Sequence, residues 1–316
     1  MQYAIAIDVG GTNIKYALVS QTGEIVFESL KSSKGEDNTT NLLVLLKDII
    51  HEIREIAFSG NYSLAGIGIG VPSVVDNGTI LFANNLPDIH NLHLSSVLES
   101  SVRLPVLTDN DANLMGLGEM KYGSATGLTD VVFLTVGTGI GGTLFLDGRL
   151  YGGYRGRGTE LGHIIIEQHG RACTCGGSGC LEAYASVTAL IEEYKELLSA
   201  DGQAATVNVD GKYIVEQYHA SQKAAVTAMI LHFQAMAAGI TGFINVFAPQ
   251  KVIIGGGISE AGDFYIEQIR NRVSGMVMKE TSCFTTIERA SLGNKAGFLG
   301  AAAMVFSAIN THNKPL

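Results

Sequence analysis

The sequence has no tryptophan, only five prolines and four cysteines in 316 residues, and no run of lysine or arginine. Its net charge is −9, so we expect none of the basic patches that bind nucleic acids or anionic membranes. The N-terminus lacks a basic stretch followed by a long apolar segment, which argues against a signal peptide. A strand begins at once, which leaves no room for a preceding helix-turn-helix. We therefore expect a cytoplasmic protein without nucleic-acid or membrane partners.

One apolar segment, residues 224–248, is long enough to be mistaken for a membrane span. His232, Gln234, Thr241 and Asn245 interrupt it with polar side chains. We interpret the segment as a helix buried at a domain or subunit interface.

Three of the four cysteines, Cys173, Cys175 and Cys180, lie in one glycine-rich stretch, and His163 lies ten residues before the first of them. Three thiolates and one imidazole complete the tetrahedral shell of structural zinc sites. Packed thiols and a disulfide are the alternatives, but a glycine-rich turn is a poor place for core packing, and a cytosolic chain does not keep a disulfide. The spacing predicts zinc, whereas Cys283, far downstream, is interpreted as a packed thiol.

Two carboxylates, Glu160 and Glu182, bracket this stretch. A metal that holds the loop together fixes both acids and the ring of His163 in place. Rigid polar groups around a cleft suit a hydroxyl-rich ligand. The sequence therefore predicts a sugar pocket shaped by zinc.

A short apolar strand near the N-terminus ends at Asp8, and Gly10, Gly11 and Thr12 lead into a second strand. The strand–turn–strand pattern differs from the strand–turn–helix of Walker and dinucleotide-binding loops. An aspartate at the tip of a buried strand, followed by backbone N–H donors, suits a magnesium-bound phosphate chain. A plain Gly-Gly hairpin is the alternative.

Glycine turns after buried strands occur twice more. The first, at Gly137 and Thr138, again joins two strands, which indicates two similar halves that face a common nucleotide. The second, at Gly255, Gly256 and Gly257, precedes a helix whose N-terminus faces the turn.

A further strand runs straight into Asn110 and Asp111. Ligands of open α/β sheets bind at the carboxyl ends of strands, so this pair is well placed for chemistry. Asp111 as the N-cap of the following helix is an equally good reading of the spacing.

The order of elements predicts an α/β protein of two lobes with a cleft between them. We assign residues 1–112 to an N-terminal α/β lobe, on which the C-terminal helix at 295–310 packs back. Residues 113–294 form the C-terminal α/β lobe with the zinc loop.

The sequence resembles ROK-family sugar kinases, close to the bacterial glucokinases of that family, over almost its whole length. The resemblance rests on the turns DVGGT from Asp8, TVGTGIGG from Thr135 and GGG from Gly255, on Asn110-Asp111, and on the zinc signature that ends at Glu182. It implies the two-lobed actin-like ATPase (ribonuclease H-like) fold and transfer of the γ-phosphoryl group of ATP to a sugar hydroxyl.

The resemblance also implies roles for individual residues. Asp111 is the general base, Asp8 holds Mg²⁺, and His163 binds zinc through one ring nitrogen and the sugar through the other. Sugar contacts are Asn85, Asn110, Asp111, Glu160, His163 and Glu182. Contacts to ATP are Asp8, Gly10, Gly11, Thr12, Gly137, Thr138, Gly255, Gly256 and Gly257, and the zinc ligands are His163, Cys173, Cys175 and Cys180. His169 is ranked as a surface residue.

One departure concerns the sugar. The family has Gly-x-Pro-Gly after its fourth strand, and Ser73 replaces the second glycine here. Its side chain either hydrogen-bonds the sugar or excludes larger substrates. Glucose is the expected substrate, and fructose, N-acetylmannosamine and β-glucosides remain alternatives.

A sugar-sensing regulator without turnover and an actin-like scaffold are the other function classes. The early first strand and the retained Asp111 argue against the regulator, and Glu160 and Glu182 are unexplained in the scaffold. The family resemblance implies a homodimer or homotetramer.

Overall fold

The computed structural model describes residues 1–33, 42–76, 78–82, 91–203 and 208–312. The chain forms two compact units. The first comprises Met1–Gly127, Gly152–Gly158 and the described residues from Asn294 onward, and the second comprises Leu128–Tyr151 and Thr159–Gly293. The division therefore comes after Gly127 and not after residue 112, because the helix that begins at Asp111 packs against the C-terminal helix.

Up to the division, the described chain forms β1 (Gln2–Val9), β2 (Asn13–Ser20), β3 (Ile25–Ser32), α1 (Leu42–Ser59), β4 (Ser63–Val71), β5 (Val74–Asp76), β6 (Thr79–Phe82), β7 (Leu92–His93), α2 (Leu94–Val102), β8 (Val106–Asn110) and α3 (Asp111–Tyr122). After it come β9 (Val131–Val136), β10 (Ile140–Leu146), β11 (Arg149–Leu150), α4 (Glu182–Ala185), α5 (Val187–Ala200), α6 (Gly211–His219), α7 (Lys223–Phe247), β12 (Lys251–Gly255), α8 (Asp263–Val273), α9 (Lys279–Ser282), β13 (Thr286–Arg289) and α10 (Ala296–His312).

The two units repeat one sheet topology. The main sheet of the first unit has the order β3-β2-β1-β4-β8, and that of the second has the order β11-β10-β9-β12-β13. In each, an antiparallel three-strand meander continues into two parallel strands. The repeat of strand and glycine turn in the sequence is thus a repeat of the whole sheet.

Each sheet is covered by helices that bury an apolar core of their own. Ile5, Ile7 and Ile67 of the first sheet are fully buried with Leu46 and Ile49 of α1. The core of the second unit joins β9 and β12 to helices α5 to α8. Both faces of the central strands are buried, which explains why they read as continuous apolar runs.

Two local details complete the fold. Helices α6 and α7 are separated by a short turn in which Ser221 has a left-handed φ of 60°. In addition, β5, β6 and β7 form a small antiparallel sheet.

Helix α7 is long and apolar enough to cross a membrane by length and composition alone. However, 67 % of its most apolar window is buried inside the protein. Such burial is typical of a core helix, as the polar interruptions of the segment predicted.

Candidate functional site

In the first unit, acidic side chains lie at the carboxyl ends of parallel strands. Asp8 of β1 pairs in register with Gly70 of β4, and Gly70 pairs with Asp109 of β8. Asp8 is buried, with 6 % of its surface exposed. The register places the carboxylates of Asp8 and Asp109 at the same edge of the sheet, with one strand between them.

Asp111 follows at the first position of α3. The N-cap of this helix is Asn110, whose Oδ1 accepts hydrogen bonds from the backbone N–H groups of Ala112 at 2.9 Å and Asn113 at 3.2 Å. The capping role therefore belongs to Asn110, and the Asp111 carboxylate accepts a hydrogen bond from the neighbouring Ala112 N–H, also at 2.9 Å. Capping by Asn110 leaves Asp111 available for chemistry.

Ser73 orients the same asparagine. Its backbone carbonyl accepts a hydrogen bond from Nδ2 of Asn110 at 3.1 Å, and its hydroxyl donates to the carbonyl of Val74 at 3.3 Å. Ser73 is buried. The backbone of this position thus fixes one of the predicted sugar contacts.

The electrostatics of this edge are unusual. Burial, together with the negative charge of Asp8, raises the pKa of Asp111 to about 7. Burial also raises the pKa of Asp8, against the opposing charge of Lys15. Carboxyl groups whose pKa values are raised by burial and by each other are typical of proton-transfer and metal-binding sites.

Asp109 is a polar residue at this edge that the sequence analysis missed. Its Oδ1 accepts hydrogen bonds from the backbone N–H of Asn110 at 2.7 Å and from Nδ2 of Asn113 at 3.0 Å. Burial raises the pKa of Asp109 as well. Its position in the sequence, directly before Asn110 and Asp111, was the signal that could have identified it.

The carboxylate groups at this edge of the sheet fit a magnesium site. Carboxylate oxygens are the protein ligands that Mg²⁺ prefers, and it is commonly bound by one or two carboxylates together with substrate phosphates. A cation here would also relieve the repulsion between Asp8 and Asp111.

The first glycine turn, between β1 and β2, is tight and open to solvent. The N–H of Gly10 donates to the carbonyl of Asn13 at 2.9 Å. Gly11 and Thr12 are exposed, and a methyl group at Gly11 would meet no atom within 4 Å. The turn therefore has room for a ligand against its backbone.

In the second unit, the four predicted zinc ligands come together. One ligand atom from each of His163, Cys173, Cys175 and Cys180 lies within 4.8 Å of the other three. The Sγ of Cys173 lies 3.6 Å from Nδ1 of His163, and the sulfurs of Cys175 and Cys180 lie 3.7 Å apart.

This geometry fits zinc. With Zn–S bonds of about 2.3 Å and tetrahedral angles, two sulfur ligands lie about 3.8 Å apart. The cysteines are free thiols. His169 is exposed and lies outside the cluster. Cys283, interpreted as a packed thiol, is instead exposed, because it follows the short helix α9 at the surface.

The two bracketing acids differ in their surroundings. Glu160 is exposed and precedes the 3₁₀ turn Leu161–His163, and its carbonyl accepts from the N–H of His163 at 3.0 Å. Glu182 is half-buried, and its Oε1 accepts from the Thr174 hydroxyl at 3.2 Å. The zinc cluster and both acids thus share one loop.

A cavity of about 800 Å³ lies in the same unit beside the second glycine turn. The predicted Gly137, Thr138 and Gly257 line it. Gly255 and Gly256 do not: a methyl group at Gly256 would lie 2.2 Å from the carbonyl oxygen of Val136, so this glycine packs against β9.

Most of the cavity wall was not predicted. The apolar part is lined by Val187, Ile191, Val215, Ile258 and Ala261, and the polar part by Thr188, Asp210, Gly211, Lys212, Glu216 and Glu260. A cavity lined by apolar side chains, charged groups and a glycine turn suits a nucleotide. The α5 and α6 residues carry no motif, so no signal in the sequence identified them.

One predicted sugar contact, Asn85, lies outside the described residues.

The model of the ROK family matches residues 4–308 of the chain. A glucokinase of Thermotoga maritima is 34 % identical over 310 residues, which span 95 % of this chain and 96 % of the relative. A xylose repressor of Caldicellulosiruptor bescii is 32 % identical over 96 % of this chain and 78 % of its own length.

The crystal structure of a ROK family glucokinase from Streptomyces griseus in complex with glucose and AMPPNP is also similar. Its TM-score is 0.80 at 30 % sequence identity, and the match covers 96 % of this chain and 99 % of that one. The fold is the actin-like ATPase fold, as the sequence resemblance predicted.

Proposed function

The chain belongs to the ROK family, and from this premise we propose that it transfers the γ-phosphoryl group of ATP to a hexose hydroxyl. Glucose, phosphorylated on carbon six, is the first candidate substrate. Similarity to glucokinases over nearly the whole chain supports a sugar kinase. Fructose, N-acetylmannosamine and β-glucosides are the alternative acceptors.

The observation that carries the proposal is the carboxyl group of Asp111. It is held at the N-terminus of α3 beside Asp8, and its pKa is raised to about 7. A base with a pKa near the working pH combines a large ionised fraction with a strong tendency to take a proton. A group that merely capped the helix would have no need of this environment.

The chemistry assigned to Asp111 is proton removal. As the sugar oxygen forms its bond to the γ-phosphorus, the bond from phosphorus to the β–γ bridging oxygen breaks and ADP leaves. The hydroxyl proton passes to the Asp111 carboxylate. Phosphoryl transfer depends mainly on positioning and charge stabilisation, so one carboxylate at the nucleophile suffices.

We assign the nucleotide to the second unit, in the cavity beside Gly137 and Thr138. Its apolar lining suits the base, and the glycine turn offers backbone N–H groups to phosphates. Gly10, Gly11 and Thr12 are further proposed phosphate contacts. Asp8 would hold Mg²⁺, which neutralises phosphate charge when bound.

We propose that the sugar contacts are Asn85, Asn110, Asp111, Glu160, His163 and Glu182. His163, Cys173, Cys175 and Cys180 would hold a structural zinc ion. Nδ1 of His163 lies on the cysteine side of the ring. The other nitrogen is then free to donate to a hydroxyl group.

The experiment is a coupled assay of ATP-dependent phosphorylation over a panel of hexoses. We expect turnover with glucose and a loss of at least about 10²-fold in kcat for Asp111→Asn, as for removal of a general base. Asp263→Asn is the matched control, because Asp263 also occupies the first position of a helix but is exposed. This control should keep full activity.

The xylose repressor similarity defines the competing result. A chain that binds a hexose in calorimetry but phosphorylates none would be a sugar-responsive regulator. Undiminished turnover in Asp111→Asn would remove the base from its assigned role.

We also propose a cytoplasmic homodimer or homotetramer without nucleic-acid or membrane partners. The acidic net charge and the free thiols support this setting. Light scattering after size exclusion measures the subunit count, and a monomer would contradict the oligomer.

A further inference from the structure

Helix α10 touches the backbone of its neighbours directly, through glycines. A methyl group at Gly300 would lie 1.7 Å from the carbonyl oxygen of Leu114 in α3, and one at Gly68 of β4 would lie 2.2 Å from the carbonyl oxygen of Ala301. On α3, a methyl group at Gly118 would lie 2.6 Å from the carbonyl oxygen of Ala296. Backbone atoms cannot move aside as the tip of a flexible side chain can, so these contacts fix the position in which α10 packs on α3 and β4.

The first turn of α10 contacts a predicted catalytic-site acid. A methyl group at Gly297 would lie 2.3 Å from Oδ2 and 2.5 Å from Cγ of Asp8. On the other side, a methyl group at Gly70 of β4 would lie 3.6 Å from Oδ1 of the same carboxylate. The buried side chain of Asp8 is therefore packed between β4 and α10, and Gly297 is the residue that leaves it room.

The same helix fixes Asp111. Leu114, whose carbonyl meets Gly300, lies one turn after Asp111 in α3. A single rigid element thus contacts the Asp8 side chain through Gly297 and the first turn after Asp111 through Gly300. The distance between the Asp8 and Asp111 carboxylates therefore depends on the position of α10.

We propose that Gly297 is a positioning residue for phosphoryl transfer, which acts by letting the Asp8 carboxylate lie against the first turn of α10. The inference rests on the proposed function, in which Asp8 would hold Mg²⁺. A methyl group at Gly297 displaces the carboxylate and so the cation and phosphates. Misplacement by about 1 Å costs on the order of 10²-fold in rate.

The activity test compares Gly297→Ala with the wild type. We expect kcat to fall about 10²-fold and the Mg²⁺ concentration for half-maximal rate to rise several-fold, with the KM for the hexose unchanged. Gly242→Ala in α7 is the control, because a methyl group there meets no atom within 4 Å. Alanine is the better helix former, so this variant should be as stable and active as the wild type.

The stability test does not depend on activity. Melting temperatures are measured for the wild type, Gly297→Ala, Asp8→Ala and the double variant. Because Asp8→Ala removes the carboxylate that the new methyl group would strike, Gly297→Ala should lower the melting temperature in the wild-type background only. If Gly297→Ala alone does not fold, the double variant should still fold.

Three results would overturn the inference. The first is an equal loss of melting temperature with and without the Asp8 carboxylate. The second is a double variant that also fails to fold, and the third is a folded Gly297→Ala with wild-type kcat and Mg²⁺ dependence. A wild type that phosphorylates no sugar would instead reject the proposed function, while coupled melting temperatures would still support the contact between Gly297 and Asp8.

Discussion

The Glu182 carboxylate accepts a hydrogen bond from the backbone N–H of Ile140 at 2.8 Å. Glu182 lies two residues after Cys180, the last cysteine of the predicted zinc loop, and Ile140 directly follows Gly139 of the second glycine turn. A methyl group at Gly139 would lie 2.4 Å from Oε2 of Glu182, so the glycine allows this approach. Within the second unit, one side chain therefore ties the cysteine loop to the turn that lines the nucleotide-sized cavity.

The first prediction concerns this bond. Glu182→Ala leaves the buried N–H of Ile140 without its acceptor, so we expect the free energy of unfolding to fall by about 1–3 kcal/mol. Thr174→Val removes only the hydroxyl bonded to Oε1 and should cost less than about 1 kcal/mol. Urea unfolding monitored by circular dichroism measures both. If Glu182→Ala is as stable as the wild type, the hydrogen bond between Glu182 and Ile140 does not stabilise the fold.

The second prediction concerns the metal. The purified protein should contain about one zinc per chain, and Cys173→Ser should lose the metal and melt at a lower temperature. Cys283→Ser is the matched control, because this exposed cysteine lies outside the cluster. Elemental analysis and thermal melting are the measurements. A metal-free wild type with full stability would contradict the zinc site.

The third prediction concerns the cavity. A methyl group at Gly257 would meet no atom within 4 Å, and this residue lines the cavity. Gly257→Val should therefore project into the space that we assign to ATP and raise the KM for ATP by at least about tenfold, with the KM for the hexose unchanged. Gly242→Val in α7, where a methyl group would also meet no atom within 4 Å, should leave both KM values unchanged. An unchanged KM for ATP in Gly257→Val would place the nucleotide elsewhere.

The fourth prediction concerns acid stability. His232 of α7 is fully buried, its Nε2 lies 2.7 Å from the Tyr265 hydroxyl, and burial lowers its pKa from 6.5 to about 4. Between these values the unfolded state binds a proton that the folded state does not, so stability falls as pH decreases from about 6.5 to about 4. The loss from this residue is at most about 3 kcal/mol.

Urea unfolding at pH 7.5 and pH 5 tests this expectation. His232→Gln, which keeps a hydrogen-bonding group for the Tyr265 hydroxyl but does not titrate, should lose less stability between the two pH values than the wild type. His169→Gln, at an exposed histidine, should behave as the wild type. Equal pH dependence in all three proteins would mean that the pKa of His232 is the same in the folded and unfolded states.

Local pattern was enough for much of the fold. The buried strands, the two strand–glycine–strand hairpins and the C-terminal helix follow from apolar runs and turn residues that lie next to one another in the chain. The zinc ligands come together because Cys173, Cys175 and Cys180 share one short loop, which costs little entropy to close. The strand end at Asp111 was visible for the same reason.

Packing between distant segments was not visible. Whether Asp111 caps α3 could be decided only from the side-chain geometry at the start of this helix. Likewise, the cavity wall supplied by α5 and α6 depends on where these helices lie on the second sheet. Asp109 was missed and the exposure of Cys283 was misjudged, because burial is a property of the folded molecule.

From the sequence alone came the order of elements, the glycine turns and the residue types of each predicted site, since these depend on neighbours along the chain. Only the tertiary structure decided that Gly297 meets Asp8, that Glu182 meets Ile140, and that His232 is buried against the hydroxyl of Tyr265. Such contacts join residues that hydrophobic burial brings together from far apart, and no short-range pattern records which of them will meet.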